Sequence, residues 1–375
     1  MIFASKFTRL NEDFLNKKLD ERNEQNAFRR LRLPSGATDF CSNDYLGIVT
    51  NGWIERSLNF RAAAHGSTGS RLLVGNYPLI EETEKALASF HQAAAGLIFN
   101  SGYDANLGLL SSIPRRGDTV LYDYLSHASI RDGVRLSFAR SFSFGHNDTT
   151  DLEMKLAGAK AAGGNIFVVT ESVFSMDGDE APLKEISSLC RRYEAHLLVD
   201  EAHATGVIGE KGEGLAQSLG LQDECLARIH TFGKALGCHG AIVLGSARLR
   251  DWLINFSRAF IYTTALPPSS IAAIRASYEI FPAMHAEREW LRQLIDRFQQ
   301  ASLRYGRLES RTPIQGVVVP GNEEVKQLAE QLQSAGLDVR PILYPTVPLG
   351  GERLRIVLHA FNSADDLAAL IGLLR

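Results

Sequence analysis

HLLVDEAH, residues 196–203, is the stretch on which the reading of this chain turns. His196-Leu197-Leu198-Val199 is a short apolar run without polar alternation, and Asp200 follows it at once. Such a run suits a strand buried on both faces of a mostly parallel sheet, because an exposed face would show alternation. The same pattern recurs at 97–99, 119–122, 166–170, 229–232 and 241–244, each run lying between helical or turn-rich stretches. Residues 78–93 read as an amphipathic helix, with Leu79, Ile80, Thr83, Leu87 and Phe90 on one stripe and Pro78 in its first turn. The expectation is an α/β fold, with a mostly parallel central sheet and helices on both faces.

Outward from this region, long helical stretches are expected at about 247–258 and 267–305. In the last 70 or so residues, strand candidates at 316–319, 337–340 and 354–358 alternate with helices near 322–335 and 363–374. Residues 11–33 are charged and helix-permissive, and the turn signal Pro34-Ser35-Gly36 closes them. The chain therefore divides into an N-terminal arm (1–50), a large domain (51–300) and a small C-terminal α/β domain (301–375).

Composition agrees with a folded chain that has a sizeable core. Of 375 residues, 45% are hydrophobic and 22% charged, which excludes a disordered chain, a coiled coil or a collagen-like fibre. A net charge of −3 gives no basic excess for nucleic acid or an anionic membrane. Cys41, Cys190, Cys225 and Cys238 lie far apart without CxxC spacing, so neither a disulfide framework nor a zinc site is expected. With no signal-peptide pattern and no 18-residue apolar stretch, the expected location is the cytoplasm.

In sheets of this kind ligands bind at the carboxyl ends of the strands, so the residues just after each run carry the functional reading. They are Ser101-Gly102-Tyr103, Ser126-His127-Ala128-Ser129, Glu171 to Gly178 with Ser175, Asp200-Glu201-Ala202-His203, and Thr231-Phe232-Gly233-Lys234. Gly102 and Tyr103 open a helix whose N-terminus can hold a phosphate. Asp200, at the end of a buried strand, is costly unless it meets a positive charge. Lys234, among apolar neighbours in a tight turn, would carry an amine of depressed pKa, ready to condense with an aldehyde. A phosphate nest, a carboxylate for a pyridinium nitrogen and a lysine for an aldehyde together describe pyridoxal 5′-phosphate. GxGxxG does not follow the first strand, and GxxxxGK[ST] is absent. No metal site is expected: Asp177 and Asp179 read as a turn, and His91, His146, His230 and His239 as structural.

The motifs SNDYLG (42–47), SGYDAN (101–106), LSHAS (125–129), ESVFSMDGD (171–179), VDEAHATGVIGEKGEG (199–214), HTFGKALG (230–237), IYTTALPP (261–268) and YPTVP with LRI (344–356) resemble those of the α-oxoamine synthases. These are fold-type I pyridoxal-phosphate acyltransferases, and the resemblance runs from the arm to the C-terminus. It implies that Lys234 holds the cofactor and later moves the substrate's Cα proton. By the same resemblance Asp200 faces the pyridine nitrogen, His127 stacks on the ring, and His203 bonds the ring oxygen. Gly102, Tyr103, Ser175 and Thr231 match cofactor-holding positions. Thr263 and Thr264 match residues that reach the neighbouring subunit's cofactor phosphate, which implies a homodimer. Arg355 matches the arginine that clamps the amino-acid carboxylate, while Asn43, Arg29 and Thr346 match substrate-binding positions. The motifs lie nearest the branch that condenses L-alanine with a pimeloyl thioester to give 8-amino-7-oxononanoate in biotin biosynthesis. The carrier is either coenzyme A or an acyl carrier protein.

Two positions depart from that branch. Leu343 stands where an arginine is common, before Tyr344-Pro345, with Arg340 three residues earlier. Arg71, in Gly69-Ser70-Arg71, is shared with relatives that join glycine to an acetyl thioester. The alternatives are therefore such a 2-amino-3-ketobutyrate ligase, or an acyltransferase of the serine palmitoyltransferase kind.

Overall fold

The protein is described by a computed structural model that covers residues 11–31, 33, 36–58 and 64–375. A short strand β1 (Thr38–Asp39) precedes seven strands of one sheet: β2 (Ala95–Phe99), β3 (Thr119–Asp123), β4 (Arg140–Phe144), β5 (Ile166–Glu171), β6 (His196–Asp200), β7 (Cys225–Thr231) and β8 (Ala241–Gly245). Their spatial order is β2-β8-β7-β6-β5-β3-β4. β8 runs antiparallel to both of its neighbours, and the other pairings are parallel.

The apolar runs are continuous because both sheet faces are covered. Leu121, Val168, Leu197, Val199 and Ile242 belong to the core on one face. Val120, Val169, Leu198, Ile229 and Val243 belong to the core on the other. Successive strand residues point to opposite faces, so each central strand contributes to two cores and tolerates no polar alternation. Each fully buried Val or Leu stabilises the fold by about 1.5–3 kcal/mol relative to exposure.

The edge strand β4 is absent from the sequence reading, for a physical reason. Arg140, Ser141 and Phe142 are exposed and only Phe144, at the end of the strand, is buried, so burial imposes no apolar run on it. The stretch expected as one helix over 267–305 is two, Pro268–Ile280 and His285–Gln300, joined by a 3₁₀ turn at Phe281–Ala283. Pro282 supplies no amide hydrogen to continue the first helix. The carbonyls exposed at the break, those of Phe281 and Pro282, accept from Arg288 at 2.7 and 2.9 Å.

A second sheet, β9 (Gly306–Arg307), β10 (Ile314–Val318), β12 (Arg340–Ile342) and β13 (Arg353–Val357), is antiparallel in the order β12-β13-β10-β9. Between β10 and β12 lies β11 (Leu337–Asp338), which pairs in parallel with β1. Helices Asn322–Ser334 and Ala364–Leu374 cover this end. The SNDYLG segment is tied to it, since Phe40 O accepts from Val357 N and Tyr45 O from Ala360 N, both at 2.8 Å.

Among its described residues the arm is helical only over Asp13–Glu24, and that helix has no buried residue. It ends earlier than the expected 33 because Asn26 takes a left-handed conformation (φ 54°). Ala27 N bonds to Arg22 O and Asn26 N to Asn23 O, which is a Schellman closure. Of the expected turn at Pro34-Ser35-Gly36, the first two residues lie outside the described part, as do residues 1–10.

Candidate active site

The expected functional residues gather where the central strands end. β7 leads into Lys234, β6 into Asp200 and His203, β3 into His127, and β5 into the loop bearing Ser175. Lys234 lines a cleft of about 350 Å³ together with Asn43, Ser42 and Cys238.

One hydrogen-bonded series runs from Lys234 behind the cleft wall to Asn43 and Arg355. Lys234 Nζ lies 2.6 Å from His203 Nε2, and His203 Nδ1 lies 2.6 Å from the Tyr45 hydroxyl. Tyr45 donates to Asn43 Oδ1 at 3.1 Å, and Arg355 Nη2 donates to the same oxygen at 3.0 Å. These bonds fix the imidazole tautomer. With the Tyr45 proton committed to Asn43, its oxygen accepts from His203 Nδ1–H, leaving Nε2 to accept from the lysine. Arg355 is held further by its Nε, which donates to Ser175 O at 2.7 Å.

Electrostatics follow from burial. Burial pushes Lys234 down to about 8, against the opposing pull of the Asp200 and Glu171 charges. Burial also holds His203 well below the usual imidazole range, with Lys234 and Arg355 adding to the effect. His127 is lowered for the same first reason. Glu171 is raised by burial and by the neighbouring Asp200 carboxylate. The result is an amine close to neutrality beside neutral imidazoles, suited to proton transfer near neutral pH.

A second series holds the Asp200 carboxylate. Asp200, 5% exposed, accepts from Ala202 N at 2.9 Å and from Asn106 Nδ2 at 2.7 Å. Both donors are neutral, which leaves its charge open to a cation such as a protonated pyridine nitrogen. Asn106 also donates to Ser129 Oγ at 3.1 Å, and Ser129 Oγ lies 2.8 Å from His127 Nδ1. His127 N–H donates to Glu171 Oε1 at 2.5 Å.

Gly102 opens the helix Gly102–Ser112, whose first turn is capped by Ser101 Oγ, an acceptor from Asp104 N at 3.0 Å. A Cβ at Gly102 would lie 3.4 Å from Thr231 Oγ1, so glycine keeps the space between this helix start and β7 open. A phosphate would be received there by backbone N–H groups and the helix dipole. Tyr103 is exposed beside it, its hydroxyl donating to Asp132.

Other expected residues lie apart from this centre. Thr263 Oγ1 and Thr264 O accept from Asn100 Nδ2, at the end of β2. Arg29 Nη2 donates to Thr346 Oγ1 at 3.4 Å, and both are exposed. Arg29 lines a groove of about 790 Å³ with Arg30, Lys326, Arg340, Cys41 and Leu343. Arg340 also pairs with Asp338 at 2.7 Å. Arg71 is turned away into a buried ion pair with Glu84, so the sequence departure there is accounted for by scaffolding.

Tyr45, Asn106, Glu171 and Ser129 carry no role in the sequence analysis. Each stands inside a motif quoted there, yet each acts by holding another residue. Asp177 and Asp179 do sit in a turn: Asp177 pairs with Arg353, and Asp179 with His146. No metal-binding cluster of His, Cys, Asp or Glu occurs among the described residues. No described helix is long and apolar enough to cross a membrane.

A sequence profile of the aminotransferase class I and II family matches residues 35–374. An 8-amino-7-oxononanoate synthase of Emericella nidulans is 42% identical, over 96% of this chain and 94% of its own length. A putative 8-amino-7-oxononanoate synthase of Geobacillus kaustophilus is 44% identical over 94% of each chain. Among solved structures, a serine palmitoyltransferase from S. paucimobilis with bound PLP-myriocin aldimine superposes with a TM-score of 0.84. It is 28% identical, over 97% of this chain and 96% of that one. The 8-amino-7-oxononanoate synthase of Francisella tularensis, also 28% identical, gives a TM-score of 0.76 over 91% and 97%. The chain thus belongs to the aminotransferase class I and II family, in the α-oxoamine synthase branch of fold-type I enzymes. Relatives named 8-amino-7-oxononanoate synthase recur among the proteins it is similar to, at 37–44% identity.

Proposed function

We propose that this chain is a pyridoxal-phosphate-dependent acyltransferase that joins L-alanine to a pimeloyl thioester, releasing thiol and carbon dioxide to give 8-amino-7-oxononanoate. The observation that carries the reading is the hydrogen-bonded series from Lys234 through His203, Tyr45 and Asn43 to Arg355. It links an amine and a guanidinium through one set of hydrogen bonds, as a reaction at the Cα of an amino acid requires.

Pyridoxal phosphate, when bound, supplies an aldehyde for the amino group and a ring that withdraws electrons from Cα. The chain's own residues do the rest. Arg355 receives the α-carboxylate in a two-pronged contact and orients the Cα–H bond. Lys234, near neutrality, takes the Cα proton and later returns one. His203 holds the lysine amine; with the cofactor bound, His203 would also bond its ring oxygen, Asp200 would keep its ring nitrogen protonated, and His127 would cover the ring. Gly102, Tyr103, Ser175 and Thr231 would hold the cofactor, and Thr263 and Thr264 would reach the phosphate of a second copy. Arg29, Thr346 and Asn43 contact the acyl thioester or amino acid. In this reading the enzyme is a cytoplasmic homodimer, and residues 301–375 form the smaller domain that brings Arg355 to the cleft.

A second reading, another acyl thioester with glycine or L-serine, is favoured by Leu343, which lines the groove beside Cys41 where an arginine is common. The experiment is a titration of the cofactor's visible absorbance with L-alanine, glycine and L-serine, followed by addition of pimeloyl thioester. L-alanine is expected to perturb the spectrum at the lowest concentration and to give the C9 product by mass spectrometry. Preference for glycine or L-serine would overturn the substrate assignment, and absence of any cofactor spectrum would overturn the whole reading.

A further inference from the structure

His146 lies outside the set of residues the reaction uses, yet it joins two segments that carry that set. It sits just after β4, with Nδ1 3.0 Å from Asp123 Oδ1 and Nε2 2.8 Å from Asp179 Oδ2. A carboxylate only accepts, so each ring nitrogen must carry a proton and the ring is an imidazolium. Burial opposes that charge, but bonds and charge from Asp123 and Asp179 outweigh it and hold the pKa up at about 10.

Asp123 ends β3 and is fully buried. Its carboxylate also accepts from Leu125 N at 2.8 Å and Asn147 N at 2.9 Å, shaping the turn that leads to His127. Asp179 closes the loop after β5, where Phe174 N donates to Asp179 O at 3.0 Å and Gly178 N to Phe174 O at 2.9 Å. The Phe174 ring meets the His146 imidazole edge to face, with centroids 4.5 Å apart. Asn147 Nδ2 donates to Asp179 Oδ2 at 2.7 Å, reinforcing the same contact. The far side of this loop holds the guanidinium groups, Ser175 O accepting from Arg355 and Asp177 pairing with Arg353.

We infer that His146 is a positioning residue, a cationic clamp that fixes the 173–180 loop against the His127 turn and thereby sets the Arg355 guanidinium for the amino-acid carboxylate. The role of Arg355 in this statement rests on the proposed function. The clamp itself rests only on the contacts above. A neutral side chain cannot replace the imidazolium, because Gln at this place offers a carbonyl toward one of two carboxylates.

The test compares His146→Gln with the wild-type holoenzyme by amide hydrogen exchange and by steady-state kinetics. Exchange at Leu125, Asn147, Phe174 and Gly178 is expected to quicken about tenfold or more, while Val168 and Val169 in β5 stay protected. The KM for the preferred amino acid is expected to rise about tenfold with kcat changed less than about threefold. Asp179→Asn, on a partly exposed loop, should give the same pattern more weakly, and it serves if His146→Gln does not fold. Unchanged exchange in the folded variants would overturn the clamp. Faster exchange with an unmoved amino-acid KM would overturn its transmission to Arg355. If L-alanine is not the substrate, the exchange result still reads the clamp, and the KM is taken with whichever amino acid perturbs the spectrum.

Discussion

Lys234 owes its chemistry to enclosure, and that enclosure can be measured. Its folded pKa of about 8 lies below the unfolded value of 10.5, so between these pH values the unfolded chain holds the extra proton. The contribution of Lys234 to stability therefore rises with pH across that window, having been unfavourable below it. The rate at which cofactor-free protein captures pyridoxal phosphate should rise through a midpoint near pH 8, read by borohydride trapping and mass spectrometry. Lys234→Ala should show no trapped adduct at this position. Tyr45→Phe removes the hydroxyl between His203 and Asn43, leaving His203 Nδ1 unpaired in a buried place. We expect kcat/KM for the amino acid to fall about tenfold or more, since an orphaned buried donor costs about 1–3 kcal/mol. Lys234, Asp200 and His203 were legible in the sequence because each follows an apolar run at a fixed place. Tyr45, Asn106 and Glu171 were not, because a residue that acts by holding another has no chemistry of its own to flag it.

Between elements, the most concentrated charge lies at Glu84 on the helix Pro78–Phe90. It accepts from Ile98 N of β2 at 2.9 Å and pairs with Arg71 and with Arg250, the latter at 3.0 Å. Its side chain is 3% exposed, so this is a buried network that ties a helix, a strand and the Gly69-Ser70-Arg71 segment together. Glu84→Ala takes from buried Arg71 its buried carboxylate, leaving the more exposed Glu81 as partner of both arginines, and should cost about 3 kcal/mol, measured by urea unfolding. The helix itself was readable from its apolar stripe, whereas the role of Glu84 was hidden because a lone glutamate in a charged helix looks solvated. β4 escaped for a related reason: strand periodicity is visible only where burial writes it into the composition, and an edge strand is buried on one face at most. The Pro282 break is the converse case, a local signal outweighed in the sequence reading by the helical character on both sides.

For the whole molecule, the proposed homodimer with shared sites predicts a complementation that no isolated subunit could show. Lys234→Ala and the double variant Thr263→Ala/Thr264→Ala should each be impaired alone. Co-expressed in equal amounts, they should regain about a quarter of wild-type activity, because half the dimers are mixed and each mixed dimer has one intact site. Purification of the mixed dimer through two different tags, followed by turnover measurement, checks this, and the absence of recovery would count against a site built from two copies. The α/β architecture and the order of the strands' chemistry were readable over the whole chain. The sheet order was not, since nothing in the residues announces that β8 enters between β2 and β7.

That inserted strand has a consequence during synthesis. β2 is an edge strand whose sheet partner is β8, roughly 145 residues further along. At about 5–20 residues per second, a ribosome would leave Ala95–Phe99 unpaired for roughly 7–30 s after it emerges. The apolar segment Leu97-Ile98-Phe99 is thus a natural point of capture for a chaperone, and it is also where a stalled nascent chain would first aggregate.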